Sequence, residues 1–243
     1  MPGLQISSAM RSDVGLVRAV NQDAILTCKD GRFFALADGM GGLLDGAWAA
    51  TEVLRLFTEM PYPADADEIA LALEERLVRA NTLVHDHARH AGKPTGTTLV
   101  AVCLADDVVH GLWVGDSRLY RWRATGMDML SHDHSMVQAM VDRGSLDPAD
   151  QADHPLAHVL FRAVGIAPET SPGYFCERLR PGDRLLLCSD GLTRVVDPAA
   201  IRRLLAGDDA ETTATALIDA ALAAGAPDNV SVIVIVIEGN DRA

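Results

Sequence analysis

Short runs of aliphatic and β-branched residues recur along the chain, each bounded by Gly, Pro, Asp, Asn or charged residues. Runs of this length and composition are typical of β-strands. The following segments are therefore predicted to be strands: Leu4 to Ser8, Arg32 to Ala37, Thr97 to Leu104, Val108 to Val114, Arg118 to Arg123, Arg184 to Cys188 and Val230 to Ile237.

Apolar residues at three- and four-residue spacing predict helices in other parts of the chain. The longest such pattern runs from Asp67 to about His90 and has one apolar stripe. A second helix is predicted from Ala47 to Met60, because Pro61 cannot continue it.

Two further helices are predicted from signals at their N-termini. The third begins with Asp197-Pro198, an N-cap followed by proline at the first helical position. The fourth follows Asp208, with Glu211 as its capping-box partner, and ends near Gly225.

The order of these segments favours an α+β fold over an alternating parallel one, because strands and helices come in groups. Only Ala105-Asp106-Asp107 separates two predicted strands, which is hairpin spacing and predicts antiparallel pairing. We expect one domain over residues 1–243, in which helix pairs flank antiparallel sheets. The stretch from Ser131 to Ile166 is rich in His, Asp, Gly and Pro and is predicted to be a flap-like insertion.

Composition restricts the partners and the compartment. The chain has 243 residues, 49% of them hydrophobic, and 34 acidic against 21 basic residues give a formal charge of -13. This charge repels nucleic acids and anionic membranes. The N-terminus lacks the apolar stretch of a signal peptide, and the longest aliphatic run is too short to span a bilayer. We expect a soluble, cytoplasmic monomer with no membrane partner.

Four aspartates stand at the ends of predicted strands. Asp38, Asp116 and Asp190 each follow an apolar run and precede Gly or Ser, whereas Asp228 lies just before the strand that starts at Val230. Antiparallel neighbours bring the C-terminal end of one strand beside the N-terminal end of the next, so all four can share one rim of the fold.

Clustered carboxylates repel one another and need a cation to remain charged in a half-buried site. All-oxygen ligands favour Mg²⁺ or Mn²⁺ over Zn²⁺. A single Asp-Gly pair is more often an ordinary turn than a functional site. Four aspartates at strand ends therefore predict a metal centre better than any one of them does.

Six short motifs resemble those of the type 2C metal-dependent protein phosphatase family, in the same order. They are Arg18-Ala19-Val20-Asn21-Gln22-Asp23-Ala24, Ala37-Asp38-Gly39-Met40-Gly41-Gly42, Gly96-Thr97-Thr98, Val114-Gly115-Asp116-Ser117-Arg118, Leu187-Cys188-Ser189-Asp190-Gly191-Leu192 and Asp228-Asn229-Val230-Ser231. The length and the Met of the second motif resemble the bacterial branch. The resemblance implies a four-layer αββα sandwich with metals in a channel at one edge.

The resemblance also implies roles for individual residues. Asp38 is expected to bridge two Mn²⁺ or Mg²⁺ ions, the carbonyl of Gly39 to ligate one of them, and Asp190 and Asp228 to complete the other. Asp116, with Asp190, resembles the pair that holds a weaker third ion. A water held between two such ions attacks phosphorus in line, so no enzyme nucleophile is required.

Other residues of the motifs are expected around these ligands. Arg18 resembles a phosphate clamp, because its planar fork matches two phosphate oxygens. Asp23 resembles an acceptor that orients metal-bound water, and Gln22 and Asn229 lie in the same motifs. Gln22 stands where many relatives have Glu, which replaces a charged acceptor with a neutral one.

The proton donor to the leaving group is left open by the sequence. Many relatives have His where this chain has Met40, and a thioether cannot donate a proton. Either a metal-bound water supplies the proton, or a histidine comes from another part of the chain. His132 and His134 lie at the start of the flap, but nothing in the sequence places them near the metals.

The leading functional hypothesis is a phosphoserine/phosphothreonine protein phosphatase that opposes a serine/threonine kinase in signalling. An enzyme for nucleotides or other small phosphate esters could use the same metals. A non-catalytic signalling module is the third hypothesis, although such a module has no need of four clustered carboxylates.

Overall fold

The computed structural model describes residues 5–28, 31–42, 44–59, 66–207 and 209–239. Its strands are β1 Gln5–Asp13, β2 Asp23–Cys28, β3 Phe33–Met40, β4 Gly96–Thr97, β5 Leu99–Ala105, β6 Val108–Val114, β7 Arg118–Arg123, β8 Gly126–Met129, β9 Gly173–Arg178, β10 Arg184–Cys188 and β11 Val230–Glu238. Its α-helices are α1 Asp45–Thr58, α2 Ala66–Ala91, α3 Met136–Asp142, α4 Asp190–Thr193, α5 Pro198–Leu205 and α6 Ala210–Ala223.

The strands form two antiparallel sheets. The first sheet has the order β1-β11-β10-β7-β8, and the second has the order β2-β3-β5-β6-β9, with β4 paired to the end of β3. The predicted hairpin is confirmed, since β5 and β6 pair antiparallel and Ala105 lies opposite Val108. The chain crosses from the second sheet to the first between β6 and β7.

The sheets pack face to face, and helices cover both outer faces. Helices α1 and α2 pack on the second sheet, and α5 and α6 pack on the first. Strand β11 shows why its sequence is aliphatic without alternation: Val232 and Val234 face the helices, while Ile233 and Ile235 face the other sheet. Both faces of this strand are buried. The predicted αββα sandwich is confirmed.

Several predicted strand boundaries were wrong. Strand β1 runs to Asp13 rather than Ser8, because its polar second half pairs with β11 along its whole length. The run predicted from Thr97 to Leu104 is broken at Thr98, whose hydroxyl bonds to Asp38 N and Ser117 Oγ. Strands β2, β8 and β9 were not predicted. Leu4 lies outside the described residues.

Two helix ends also differ from the prediction. Helix α1 begins at Asp45 and ends at Thr58, and the predicted stop at Met60 and Pro61 lies outside the described residues. Helix α6 is capped by Asp209, whose Oδ1 accepts the N–H of Thr212 at 2.8 Å. The predicted capping box is therefore wrong by one position, and Asp208 itself lies outside the described residues.

The stretch predicted to be a flap, residues 131–166, contains α3 and a single 3₁₀ turn, Pro148–Asp150. It folds back on itself through a bridge between Ser135 and Leu160 and joins β4 through a bridge between Thr97 and Val164. No helix in the described part of the chain is long and apolar enough to cross a membrane.

Candidate active site

Five aspartates, here called the rim carboxylates, lie where the two sheets meet at one edge of the sandwich. Asp38 is in the last part of β3, and Asp23 begins β2 directly opposite it. Asp116 lies in the crossing between β6 and β7, Asp190 begins α4 after β10, and Asp228 lies two residues before β11. The structure thus brings together the four aspartates that strand polarity predicted and Asp23, which the family resemblance placed near them.

Hydroxyl groups hold the backbone that carries these carboxylates. Thr98 Oγ1 accepts Asp38 N–H at 2.9 Å, and Thr97 Oγ1 donates to Asp38 O at 2.9 Å. Ser189 Oγ accepts the N–H of Ser231 and donates to Asp23 Oδ2 at 2.8 Å, which links the two sheets. Hydrogen bonds to its backbone N–H and carbonyl therefore hold Asp38 in place, and its side chain faces the rim.

Two glycines allow backbones to approach closely at this edge. A Cβ on Gly191 would lie 1.9 Å from the carbonyl oxygen of Asn229, so only glycine lets the start of α4 lie against the turn that carries Asp228. A Cβ on Gly39 would lie 2.1 Å from the carbonyl oxygen of Gly46 in α1. At these two positions, the glycine of each Asp-Gly pair is required by packing rather than by a hairpin turn.

Arg18 reaches the rim from a loop that precedes β2. Its Nη2 lies 2.8 Å from Asp228 Oδ2, and its side chain is 53% exposed. Asn229 holds this loop: its Oδ1 accepts Gln22 N–H at 2.8 Å, and its Nδ2 donates to the carbonyls of Val14 and Val20 at 2.9 and 3.0 Å. Asn229 therefore contacts backbone on both sides of Arg18.

Gln22 bonds to the loop that follows Asp38. Its Nε2 lies 3.2 Å from the carbonyl oxygens of both Gly41 and Gly42. A glutamate in this position has no hydrogen to donate. The replacement of Glu by Gln thus adds two donated bonds to this loop.

Arg194, a residue that the sequence analysis missed, also lies at the rim. It is four residues after Asp190 at the end of α4, and its Nη2 forms an ion pair with Asp190 Oδ2. Its Nη1 lies 3.9 Å from Asp228 Oδ2. The signal available in the sequence was the i,i+4 spacing from Asp190, which places both side chains on one helix face.

Burial and mutual repulsion act against ionisation of the rim carboxylates. Burial, followed by repulsion from Asp23, Asp190 and other carboxylates, raises the pKa of Asp38 well above its usual range. Burial also raises the pKa of Asp23, and separately that of Asp116, to about 7. For Asp190, burial raises the pKa and Arg194 opposes the rise. The site therefore has more buried negative charge than its two arginines offset.

The chemistry of these residues fits hard divalent cations, which prefer carboxylate oxygens. Asp23 Oδ1 is buried with no hydrogen-bond partner. No hydrogen bond or ion pair from the described residues reaches the Asp38 carboxylate or Asp190 Oδ1. Within the same ranges, no three His, Cys, Asp or Glu side chains are gathered tightly enough to enclose one ion. Unneutralised carboxylates repel, so binding of cations would draw them closer together.

The histidines considered from the sequence lie elsewhere. His134 is buried, where its Nδ1 accepts the N–H of Gly115 at 3.2 Å, and burial lowers its pKa to about 4. His132 pairs with Asp142 at 2.8 Å. His158, an exposed residue of the predicted flap, is instead the histidine whose charge acts on Asp190.

The fold and the rim define a family of phosphatases. The family model described as protein phosphatase 2C matches residues 17–224, and the chain belongs to this family. The resemblance inferred from six motifs is thereby confirmed.

The relatives that the chain matches are bacterial serine/threonine phosphatases. It is 33% identical over 233 residues to the serine/threonine protein phosphatase PstP of Mycobacterium tuberculosis, which covers 95% of this chain and 45% of PstP. The chain thus spans about half the length of that relative. It is 31% identical over 235 residues to the serine/threonine phosphatase stp of Listeria innocua, with 93% of each chain covered.

A solved structure of a relative shares the fold. The catalytic domain of PstP in complex with two manganese ions superposes with a TM-score of 0.88 at 32% identity, covering 97% of this chain and all of that one.

Proposed function

We propose that this chain is a metal-dependent serine/threonine protein phosphatase that hydrolyses phosphoserine and phosphothreonine on proteins. The observation that carries the proposal is the meeting of Arg18 with the rim carboxylates, across 210 residues of sequence. A guanidinium beside buried, uncompensated carboxylates is the arrangement that a phosphate ester between cations requires. Family membership and the names of the relatives support the same activity.

The carboxylates would hold the ions as the family resemblance implies. Asp38 would serve both ions, Asp190 and Asp228 would serve one, and the carbonyl of Gly39 would serve the other. When bound, two Mn²⁺ or Mg²⁺ ions acidify a water and orient it for in-line attack on phosphorus. Asp23 Oδ1, which is buried and without a partner, accepts a hydrogen bond from a water at this site.

Arg18 binds the phosphoryl group of the substrate. Its side chain is half exposed at the rim and is held there by the bonds of Asn229 to the surrounding loop. Two guanidinium N–H groups can donate to two phosphoryl oxygens at once. The Asp228 carboxylate limits how far Arg18 can swing away when no substrate is bound.

We propose a phosphorylated protein as the partner, either a serine/threonine kinase or its substrates, and a cytoplasmic location. The net charge of -13 disfavours nucleic acid as a substrate. A single domain over residues 1–243 and a monomeric state remain predictions. Fractionation and size-exclusion chromatography test the location and the monomeric state.

The activity is tested by turnover of a phosphothreonine peptide and of a nucleotide, each with Mn²⁺ and with EDTA. We expect the peptide to be hydrolysed with a higher kcat/KM than the nucleotide, and EDTA to abolish both activities. Preference for the nucleotide would favour the small phosphate ester hypothesis. Absence of Mn²⁺-stimulated turnover of either substrate, and of p-nitrophenyl phosphate, would favour the non-catalytic one.

A further inference from the structure

Arg194 lies where the sequence predicts a weaker third metal ion. That ion was assigned to Asp116 and Asp190, and the Nη2 of Arg194 is already paired with Asp190 Oδ2. The charge of Arg194 also lowers the pKa of Asp116, against the rise that burial and Asp190 cause. An ion held by Asp116 and Asp190 would therefore have to displace the guanidinium from Asp190 Oδ2.

Arg194 lies beside the carboxylates of Asp190 and Asp228 rather than beside Asp38, the residue assigned to bridge the ions. Its second nitrogen is 3.9 Å from Asp228 Oδ2, an oxygen that Arg18 already contacts at 2.8 Å. No ion pair among the described residues joins Arg194 to the Asp38 carboxylate, since its two pairs go to Asp190 and Asp228. Arg194 therefore leaves Asp38 and Asp190 Oδ1 open to the two essential ions.

A tethered arginine has an advantage over a free third ion. It is one helical turn from Asp190 on α4, so its charge is supplied within the chain at a high effective concentration. A guanidinium stays charged at every physiological pH, and a chelator cannot remove it. A weakly held ion would have to displace it and remain bound by two carboxylates.

We propose that Arg194 is a built-in cation that takes the place of the third metal ion, so that this enzyme works with two ions and a guanidinium. The proposal rests on the two-ion centre of the proposed function. It assigns Arg194 as a positioning residue, which holds the Asp190 carboxylate in place at the rim through their ion pair. It also predicts that activity saturates once two ions are bound.

The test counts Mn²⁺ ions rather than turnover. Free Mn²⁺ is measured by electron paramagnetic resonance as the full chain is titrated into the millimolar range. We expect the wild type to stop at two ions and Arg194→Ala to gain a third, weaker one. The double variant Arg194→Ala/Asp116→Asn should return to two, because the new ion needs Asp116.

Charge and location are controlled separately. Arg194→Lys keeps the positive charge and should remain at two ions. Arg55 in α1 also forms an i,i+4 ion pair, with Glu59, but far from the rim, so Arg55→Ala should leave the count at two. A third ion in Arg55→Ala would mean that loss of any surface cation creates binding, which would overturn the proposal.

Two results would overturn the proposal even if Arg194→Ala fails to fold. A third Mn²⁺ in the wild type that Asp116→Asn removes would show that Arg194 does not occupy the site. A third ion in Arg194→Lys would show that positive charge at this position does not exclude it. If the wild type binds no Mn²⁺, the proposed function falls together with this inference, whereas two ions in a folded Arg194→Ala would overturn the inference alone.

Discussion

Strand β10 has an aspartate near each end, Asp183 buried and Asp190 partly exposed, and their surroundings differ. Asp183, just before the strand, is paired on both oxygens with Arg123 at 2.7 Å and also accepts the N–H of Arg180 at 2.9 Å. Asp190, just after the strand, shares one arginine with Asp228 and lies among other carboxylates.

The number of hydrogen-bond donors around each aspartate distinguishes a structural carboxylate, Asp183, from a functional one, Asp190. A buried carboxylate costs free energy unless donors surround it, and Asp183 has those donors within its own chain. The rim carboxylates lack enough donors, so the protein leaves part of their charge to be neutralised by something that binds. Excess buried charge of one sign is what makes the rim a binding site.

The largest expected effect is that of Asp38→Asn. Loss of the charge shared by both ions should abolish tight Mn²⁺ binding and lower kcat by roughly 1000-fold or more. The metal-free protein should be no less stable than the wild type above pH 7, because one repelling carboxylate is gone. Calorimetric Mn²⁺ titration, peptide turnover and urea unfolding in EDTA measure the three quantities. Retained tight binding would remove Asp38 from the centre.

Asp183→Asn should give the opposite pattern. Loss of the charge of Asp183 leaves the guanidinium of Arg123 without its counter-charge, which we expect to cost about 3 kcal/mol of unfolding free energy. Mn²⁺ affinity and kcat/KM of the folded fraction should stay unchanged. If this variant loses Mn²⁺ binding while it remains folded, the two ends of β10 are not independent.

The stability of the metal-free protein should fall as pH rises. Asp23 and Asp116 titrate near pH 7 when folded, so between about pH 4 and 7 the unfolded chain releases their protons first. A carboxyl group whose pKa rises from about 4 to about 7 on folding changes the free energy of unfolding by about 4 kcal/mol. Coupling among the carboxyl groups reduces this change to roughly 2–3 kcal/mol. Urea unfolding at pH 5 and pH 8 in EDTA measures the change.

Mn²⁺ provides the control for this pH dependence. Cations bind the ionised carboxylates, so saturating Mn²⁺ should remove the loss of stability between pH 5 and pH 8. Asp23→Asn should reduce the loss in EDTA. A metal-free protein that becomes more stable on going to pH 8 would contradict the assigned protonation of the rim.

The smallest effect is expected for Arg18→Ala. Its guanidinium is assigned to the substrate, and bonds to a charged group are worth roughly 1.5 to 3 kcal/mol, or about tenfold to a hundredfold in kcat/KM. Mn²⁺ affinity should stay within a few-fold of the wild type. Peptide kinetics measure kcat/KM and calorimetry measures Mn²⁺ affinity. The control is Arg178→Ala, which removes an exposed arginine of β9. Unchanged kcat/KM would remove Arg18 from the site.

The sequence was sufficient for the carboxylates because strand polarity restricts where their positions can lie. The sequence shows apolar runs that end in Asp38, Asp116 and Asp190, and one that begins after Asp228. Because neighbouring strands are antiparallel, these ends lie at the same rim of the fold. The αββα class followed from the grouping of strands and helices and from the family resemblance. Strand β2 was missed because it lies at the edge of its sheet with no fully buried residue.

What the sequence by itself determined is therefore the rim, its carboxylates and the covering helices, since each depends on local periodicity or on motifs of a few residues. The motif around Arg18 predicted one cation at the rim, but only the tertiary structure showed what holds it there and that Arg194 lies beside it. Asn229 holds the Arg18 loop across more than 200 residues, and the side chain of Arg194 could have pointed to solvent. Long-range packing and electrostatics, which no local pattern encodes, direct both arginines to the rim.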